Sequence, residues 1–393
     1  MAEPSHYYGL IEDVIDAVDG NNFSRSHLLL DCVFAHRFDD GGNNALTEPS
    51  ALSLVRAMST TKKWHRVFGT TEFAKGDWVA LTIDDDGNAP RAWELPASNG
   101  YTAGPSRSLR SITRLGDGSE PARADASASL AFRLASGSDS ALPHSRNMPI
   151  ENFVARLGSS GDASFEFIAL DVGQASATLI RRNGRAIGLF DAGAPVWFNK
   201  GSIAPRFVPP AIPGGFIFLS HWDFDHFDLG RRHMPYRDLD WFAPVQPVGP
   251  NTAKFQTELG SKLTFVTGAT SSAGFTFAQG TAPDPKDRNG SGYQLRYEKD
   301  GRALLLTGDS DYNCIRTQML SGLTAVTIPH HAGRGTAPPL PQWPAARAVA
   351  SYGVPNSYRH PDGRTLSEHR NRGWDVVSTA AGQLPRGQRT IFP

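Results

Sequence analysis

What most limits the fold of this 393-residue chain is a run of six residues, His221-Trp222-Asp223-Phe224-Asp225-His226, placed directly after the apolar stretch Gly215-Phe216-Ile217-Phe218-Leu219 and Ser220. The apolar stretch reads as a strand, and four of the six residues that follow carry metal-ligating groups. Alternate side chains of an extended segment point the same way, so His221, Asp223 and Asp225 can converge, while a turn into a helix near Phe227 swings His226 to a neighbouring position. Imidazoles and carboxylates so spaced can hold divalent cations, including two ions about 3.5–4 Å apart.

The surrounding sequence reads as many short strands with few helices. Phe165–Asp171, Ala177–Ile180 and Ala186–Phe190 form strand-like runs around an Asn183-Gly184 turn. Further strands are expected at 215–219, 239–245, 262–266, 275–278, 292–298, 302–307, 323–328 and 346–351, with helices near 311–320 and 364–372. This pattern predicts an α/β fold of two mostly antiparallel sheets with helices outside, an αββα sandwich over residues 151–393.

The first 95 residues read as a smaller mixed α/β unit. Leu10, Ile11, Val14, Ile15 and Val18 lie at helical spacing within Tyr8 to Val18, with Gly20 as a stop; Asp77–Ile83 and Arg91–Leu95 read as strands. His27, His36 and His65 have no spaced carboxylate partner and carry no expected chemistry. Residues 96–150, rich in Ser, Ala, Gly, Arg and Asp, read as a linker or cover.

Further motifs follow in order. Leu170-Asp171-Val172-Gly173-Gln174-Ala175 and Phe190-Asp191-Ala192-Gly193 precede the His221 loop; Leu304-Leu305-Leu306-Thr307-Gly308-Asp309, Pro329-His330-His331-Ala332-Gly333 and Asn356-Ser357-Tyr358-Arg359-His360-Pro361 follow it. Over residues 165–380 the set resembles the metallo-β-lactamase superfamily, and within it the hydrolase domain of ComEC-like bacterial competence DNA-uptake proteins. That resemblance implies His221, Asp223, Asp225, His226, Asp309 and one of His330 or His331 as metal ligands, with Asp309 bridging. It implies Asp225 and His360 as catalytic, His360 as an acid for the leaving group, and Arg359 or Asn356 beside a phosphate. His360 can also be only a turn residue. Asp171 and Asp191, at strand ends, either orient a ligand histidine or cap turns.

The chain departs from the pattern at Gln174-Ala175-Ser176-Ala177 and at Ala332-Gly333-Arg334, and no histidine matches the superfamily's extra first-site ligand, because His233 is the only one between 227 and 308. One or two divalent ions are expected, Zn2+, Mn2+ or Mg2+, with the carboxylate-rich set favouring the last two. The implied reaction is hydrolysis by a metal-bound hydroxide, with a nucleic acid phosphodiester as substrate. A small-molecule phosphodiesterase is the alternative, with residues Arg231 to Ser291 as lid or groove, and a non-catalytic binding protein is a third reading.

Charge leans the same way. Lys and Arg equal Asp and Glu overall at 39 each, but residues 1–150 hold 14 basic against 19 acidic, leaving 25 against 20 in the remainder. Arg181, Arg182, Arg185, Arg231, Arg232, Arg334 and Arg359 are the basic residues expected to favour an anionic substrate. Cys32 and Cys314 are too few for a disulfide framework. No run approaches the roughly 20 apolar residues of a membrane span, so a cytoplasmic enzyme is expected, with a protein partner assigned, if anywhere, to the N-terminal unit.

Overall fold

The computed structural model describes every residue except 1–2, 16–24, 61, 65–72, 86, 88–89, 116–129, 131–132, 135–145, 158–162, 285, 345 and 381–384. His65 and the end of the helix expected over Tyr8 to Val18 lie outside the described residues. The chain divides into two units, Met1–Pro143 with Pro247–Gly260, and His144–Gln246 with Ser261–Pro393.

The first unit is a closed barrel. Its strands are β1 (Ser5–Ile15), β2 (Arg25–Phe34), β3 (Leu52–Thr60), β4 (Trp78–Asp84), β5 (Arg91–Pro96) and β6 (Arg107–Arg114), in the order β1-β2-β3-β5-β6-β4. The expected helix at Tyr8 is therefore strand β1, paired on both sides by β2 and β4. The helical spacing misleads because both faces are covered: Ile11 joins the core with Leu30, Val55 and Leu81, while Leu10 packs outside with Phe38 and Leu46. Polar alternation, the usual mark of a half-buried strand, is thereby lost. Strand β6 lies inside the stretch read as linker and closes the barrel against β4 and β5. The helix Pro250–Leu259 is returned to this unit from far along the chain. Fully buried Asp31 of β2 accepts hydrogen bonds from its first amides, Asn251 N at 2.8 Å and Thr252 N at 3.2 Å, which satisfies donors that a helix start leaves open.

The second unit is the αββα sandwich. One sheet runs β21 (Arg389–Phe392), β8 (Phe165–Ala169), β9 (Thr178–Arg182), β10 (Arg185–Phe190), β11 (Phe216–Phe218), β12 (Asp240–Pro244), β13 (Leu263–Thr267) and β7 (Arg146–Pro149). The other runs β14 (Thr270–Ser272), β15 (Phe275–Gln279), β16 (Tyr293–Lys299), β17 (Arg302–Leu306), β18 (Ala325–Thr327), β19 (Ala346–Ala350) and β20 (Trp374–Ser378). Neither sheet is mostly antiparallel. In each, an antiparallel half meets a parallel half, at β10/β11 in the first and at β17/β18 in the second. The stretch Arg231 to Ser291 is not one insert: β12, β13, β14 and β15 are sheet strands, and Pro247–Gly260 belongs to the first unit.

Aromatic side chains fill the space between the sheets. Phe218 of β11 stands 4.7 Å from Phe277 of β15 and 5.5 Å from Tyr293 of β16, ring centre to ring centre. Phe153, from the helix Ile150–Leu157, wedges against Phe218, Phe242 and Phe277. Each such buried ring contributes roughly 1.5–3 kcal/mol relative to exposure. Alternation puts Trp241 on the outer face, where the helix Phe224–Arg232 crosses it at Gly230; any Cβ there would lie 2.3 Å from the indole. The contact fixes that helix, and so the His221 loop at its start, on the sheet. No helix among the described residues is long and apolar enough to cross a membrane.

Candidate metal centre

The site residues leave the C-terminal ends of strands near the switch points between antiparallel and parallel pairing, where sheets open a crevice between diverging loops. Asp191 follows β10, the loop His221–His226 follows β11, Asp309 follows β17, the His330-His331 turn follows β18, and the loop bearing His360 follows β19.

Ser220, His221, His226 and Asp191 form one buried network. Asp191 accepts from Ser220 N at 2.7 Å, from Ser220 Oγ at 3.0 Å and from His226 Nδ1 at 2.8 Å. Because the Ser220 hydroxyl proton goes to Asp191, its oxygen receives the Nδ1 proton of His221, 2.9 Å away. His331 likewise donates Nδ1–H to the Ser351 carbonyl at 2.9 Å. All three rings thus carry the proton on Nδ1 and aim a bare Nε2 lone pair into the site.

Those three Nε2 atoms are buried without a hydrogen-bond partner. Acceptors also face acceptors: His226 Nε2 lies 3.1 Å from Asp309 Oδ1, and His331 Nε2 lies 3.2 Å from Asp225 Oδ2 and 3.8 Å from Asp309 Oδ2. Such contacts are unfavourable unless a proton or cation stands between them. The ligand atoms of His221, His226 and Asp309 lie within 4.8 Å of one another, as do those of Asp225, His226 and His331. The residues therefore fit a divalent cation.

Without an ion the site attracts protons. Burial opposes charge on His226, but the carboxylates of Asp309 and Asp191 outweigh it and hold the ring well above the ordinary histidine value. Burial would raise Asp309, but His226 and His331 pull it well below the usual carboxylate range. A bound cation replaces those protons in both attractions.

Several expected residues take other places. Asp223 belongs to neither ligand cluster; it lies 3.4 Å from His221 Nε2 and 3.0 Å from Arg288, a guanidinium only 2% exposed. Of the two adjacent histidines, His331 faces the ligands, while the His330 ring stands 5.3 Å from that of His360. The split comes from backbone strain: His330, His331 and Ala332 have φ of 51°, 53° and 59°, a left-handed run that costs roughly 1–2 kcal/mol per residue. Among the described residues, Asp171 has no hydrogen bond or ion pair to a ligand histidine. It is gripped by Arg386, Nε to Oδ2 at 2.6 Å. Asn356 spends its amide on its own loop, giving to Gly353 O and His360 O and accepting from His360 N.

His360 is set by Gln174, whose amide donates to its Nδ1 at 2.9 Å while the amide oxygen accepts from Gly353 N. The proton of the neutral ring is therefore on Nε2. Burial, then His330 and His331, push His360 well below the ordinary value, so at neutral pH it is a hydrogen-bond donor and not a stored acid. Ser220, Gln174 and Arg288 had no assigned role in the sequence. Gln174 lies inside a recognised motif and Ser220 abuts one, but Arg288 is about sixty residues from the loop it touches.

The glycine of Phe190-Asp191-Ala192-Gly193 has a plain cause: a Cβ on Gly193 would lie 1.8 Å from the Asp225 carbonyl oxygen. That approach lets Ala192 N bond to His226 O at 2.8 Å, clamping the metal loop. Of the basic residues, Arg231 and Arg232 hold buried Asp228, and Arg181 pairs with Glu166. Arg334 and Arg359 are exposed, with no hydrogen-bond or ion-pair partner among the described residues.

Fold and site together define an αββα sandwich with a buried histidine and carboxylate centre suited to a divalent cation. No family model and no curated protein matches the chain. Among solved structures it is similar to the metallo-beta-lactamase fold protein YhfI from Bacillus subtilis, at 12% identity and a TM-score of 0.33, covering 58% of this chain and 100% of that one. It is also similar to Zn2+-bound PqqB from Methylobacterium extorquens, at 11% identity and a TM-score of 0.32, covering 57% of this chain and 99% of that one.

Proposed function

We propose that the chain is a metal-dependent hydrolase of phosphodiesters, with nucleic acid as its substrate class. The observation that carries this reading is the convergence of three bare, buried imidazole nitrogens with Asp225 and Asp309. Arg334 and Arg359, two exposed guanidinium groups with no partner among the described residues, stand on the loops that bear His331 and His360. When bound, a divalent cation supplies Lewis acidity, bringing the pKa of water toward neutrality and offsetting charge on the attacked group.

The chain's own residues supply the rest. His226 and His331 hold their lone pairs ready because Asp191 and Ser351 fix their tautomers. His360 offers Nε2–H as a donor to the developing charge of a leaving group, and Gln174 keeps that tautomer. Arg334 and Arg359 each carry the paired N–H groups that bind phosphate oxygens. The ordered motifs that resemble those of ComEC-like hydrolase domains support a polymeric nucleic acid substrate, and the barrel is the candidate for a second contact with it or with a protein partner.

The test incubates the full chain and Asp309→Asn with Mn2+ or Zn2+ and single-stranded DNA, duplex DNA, RNA, cyclic nucleotides, a nitrophenyl phosphodiester, a thioester and a lactone. Cleavage of nucleic acid and the activated diester by the unaltered chain alone is expected. Turnover confined to the thioester or lactone refutes the phosphodiester reading, and turnover of cyclic nucleotides with polymers untouched moves it to a small-molecule enzyme.

A further inference from the structure

Among the described residues, Arg288 is the guanidinium built into the wall of the centre. Its side chain is 2% exposed and lies 3.0 Å from Asp223, the carboxylate beside His221. Its position is fixed from both sides. Asp287 caps the turn Arg288–Ser291 by accepting from Gly290 N. Gln246 joins that turn to the metal loop, donating to Arg288 O at 2.8 Å and accepting from Trp222 N at 3.1 Å. Placing a long cationic side chain there is costly unless its charge is needed.

The need is visible in the charges. Asp223, Asp225 and Asp309 are the carboxylates nearest the three bare nitrogens, and one guanidinium with one dication balances them. Asp191 is offset by its own three donors. A second dication would fall to the cluster of His221, His226 and Asp309, where His221 Nε2 lies 3.4 Å from Asp223, the carboxylate that Arg288 holds at 3.0 Å. A dication and a guanidinium that share one buried carboxylate repel each other far more strongly than the same charges in water. Asp225, His226, Asp309 and His331, in contrast, bring their atoms together with no arginine or lysine among the groups that act on them.

We infer that the centre takes one tightly held cation, among Asp225, His226, Asp309 and His331, and that Arg288 occupies the electrostatic place of a second beside Asp223. Arg288 is thus a positioning residue that sets metal number. This rests on the metal reading of the site but not on any substrate.

The test is metal stoichiometry, measured by elemental analysis and calorimetric titration of the full chain with Mn2+ and Zn2+, and by the spin spectrum of the Mn2+ form. The unaltered protein is expected to retain one tight equivalent and an uncoupled Mn2+ signal. Arg288→Lys, which keeps the charge, should also retain one. Arg288→Gln should gain a second equivalent and show coupled Mn2+ pairs. Two equivalents of similar affinity in the unaltered protein overturn the inference, even if Arg288→Gln fails to fold, and so does a folded Arg288→Gln, checked by circular dichroism, that still takes one. No bound metal at all overturns it together with the metal centre, whereas one equivalent without hydrolysis leaves the inference standing and removes only the proposed function.

Discussion

Asp191→Asn should weaken metal binding sharply without touching a ligand. The carboxylate sits at 0% exposure and accepts from Ser220 N, Ser220 Oγ and His226 Nδ1 at 2.7, 3.0 and 2.8 Å. An amide of the same shape keeps one acceptor and gains two N–H donors. If its oxygen stays on Ser220 N, its NH2 faces His226 Nδ1 and drives the ring proton to Nε2, where it blocks the cation. If the amide flips, NH2 meets the Ser220 amide and two donors collide. Residues that orient a metal ligand are typically worth 10–100-fold in affinity, so about 1.4–2.7 kcal/mol is expected. A buried donor left unsatisfied costs a further ~1–3 kcal/mol of stability, at roughly 2–4 °C in Tm per kcal/mol for a unit of this size. Calorimetric titration with Mn2+ or Zn2+, paired with thermal unfolding of the metal-free protein, reads both. A variant that binds within threefold of the unaltered chain refutes the tautomer argument.

His331→Ala should lose more than the roughly 100-fold expected of an orienting residue, and His330→Ala should bind metal within about threefold, because only His331 faces Asp225 and Asp309; equal losses in titration would undo that assignment. Asp309→Asn should abolish cleavage of every substrate, whereas His360→Ala should lose about 10²–10³-fold on nucleic acid, the loss typical of one hydrogen-bond donor to developing charge, and far less on a nitrophenyl diester that needs no help at its leaving group. Equal losses for His360→Ala on both substrates would make it a loop anchor. His369, fully buried with Nδ1–H on Thr365 O and Nε2 beside Tyr312, is pushed below the ordinary value by burial. The unfolded chain therefore binds a proton that the folded ring refuses, and stability falls as pH drops below about 6.5, by up to about 1.4 kcal/mol per unit. Denaturant melts from pH 7.5 to 5 should show a smaller loss for His369→Gln, and identical slopes would refute it.

The metal loop was legible in the sequence because its chemistry is local: His221, Asp225 and His226 lie within six residues, after a strand whose apolar run has a plain period. Most strands of the sandwich were legible for the same reason, with expected bounds, such as 239–245 around the observed 240–244, within a residue or two, but the edge strands β7, β14, β20 and β21 were not expected. Local pattern failed where burial came from two directions. Strand β1 reads as a helix because Leu10 and Ile11 are covered on opposite faces, and the parallel halves of both sheets leave no trace that alternation can register. Choosing His331 over His330 needed the left-handed turn that parts them, which no composition encodes. Arg288 beside Asp223, Gln174 beside His360 and Arg386 on Asp171 join residues some 65 to 215 positions apart. Such pairings are decided only by how sheets and loops pack, since a charge or hydrogen-bond partner is chosen by distance in space and burial and not by distance along the chain.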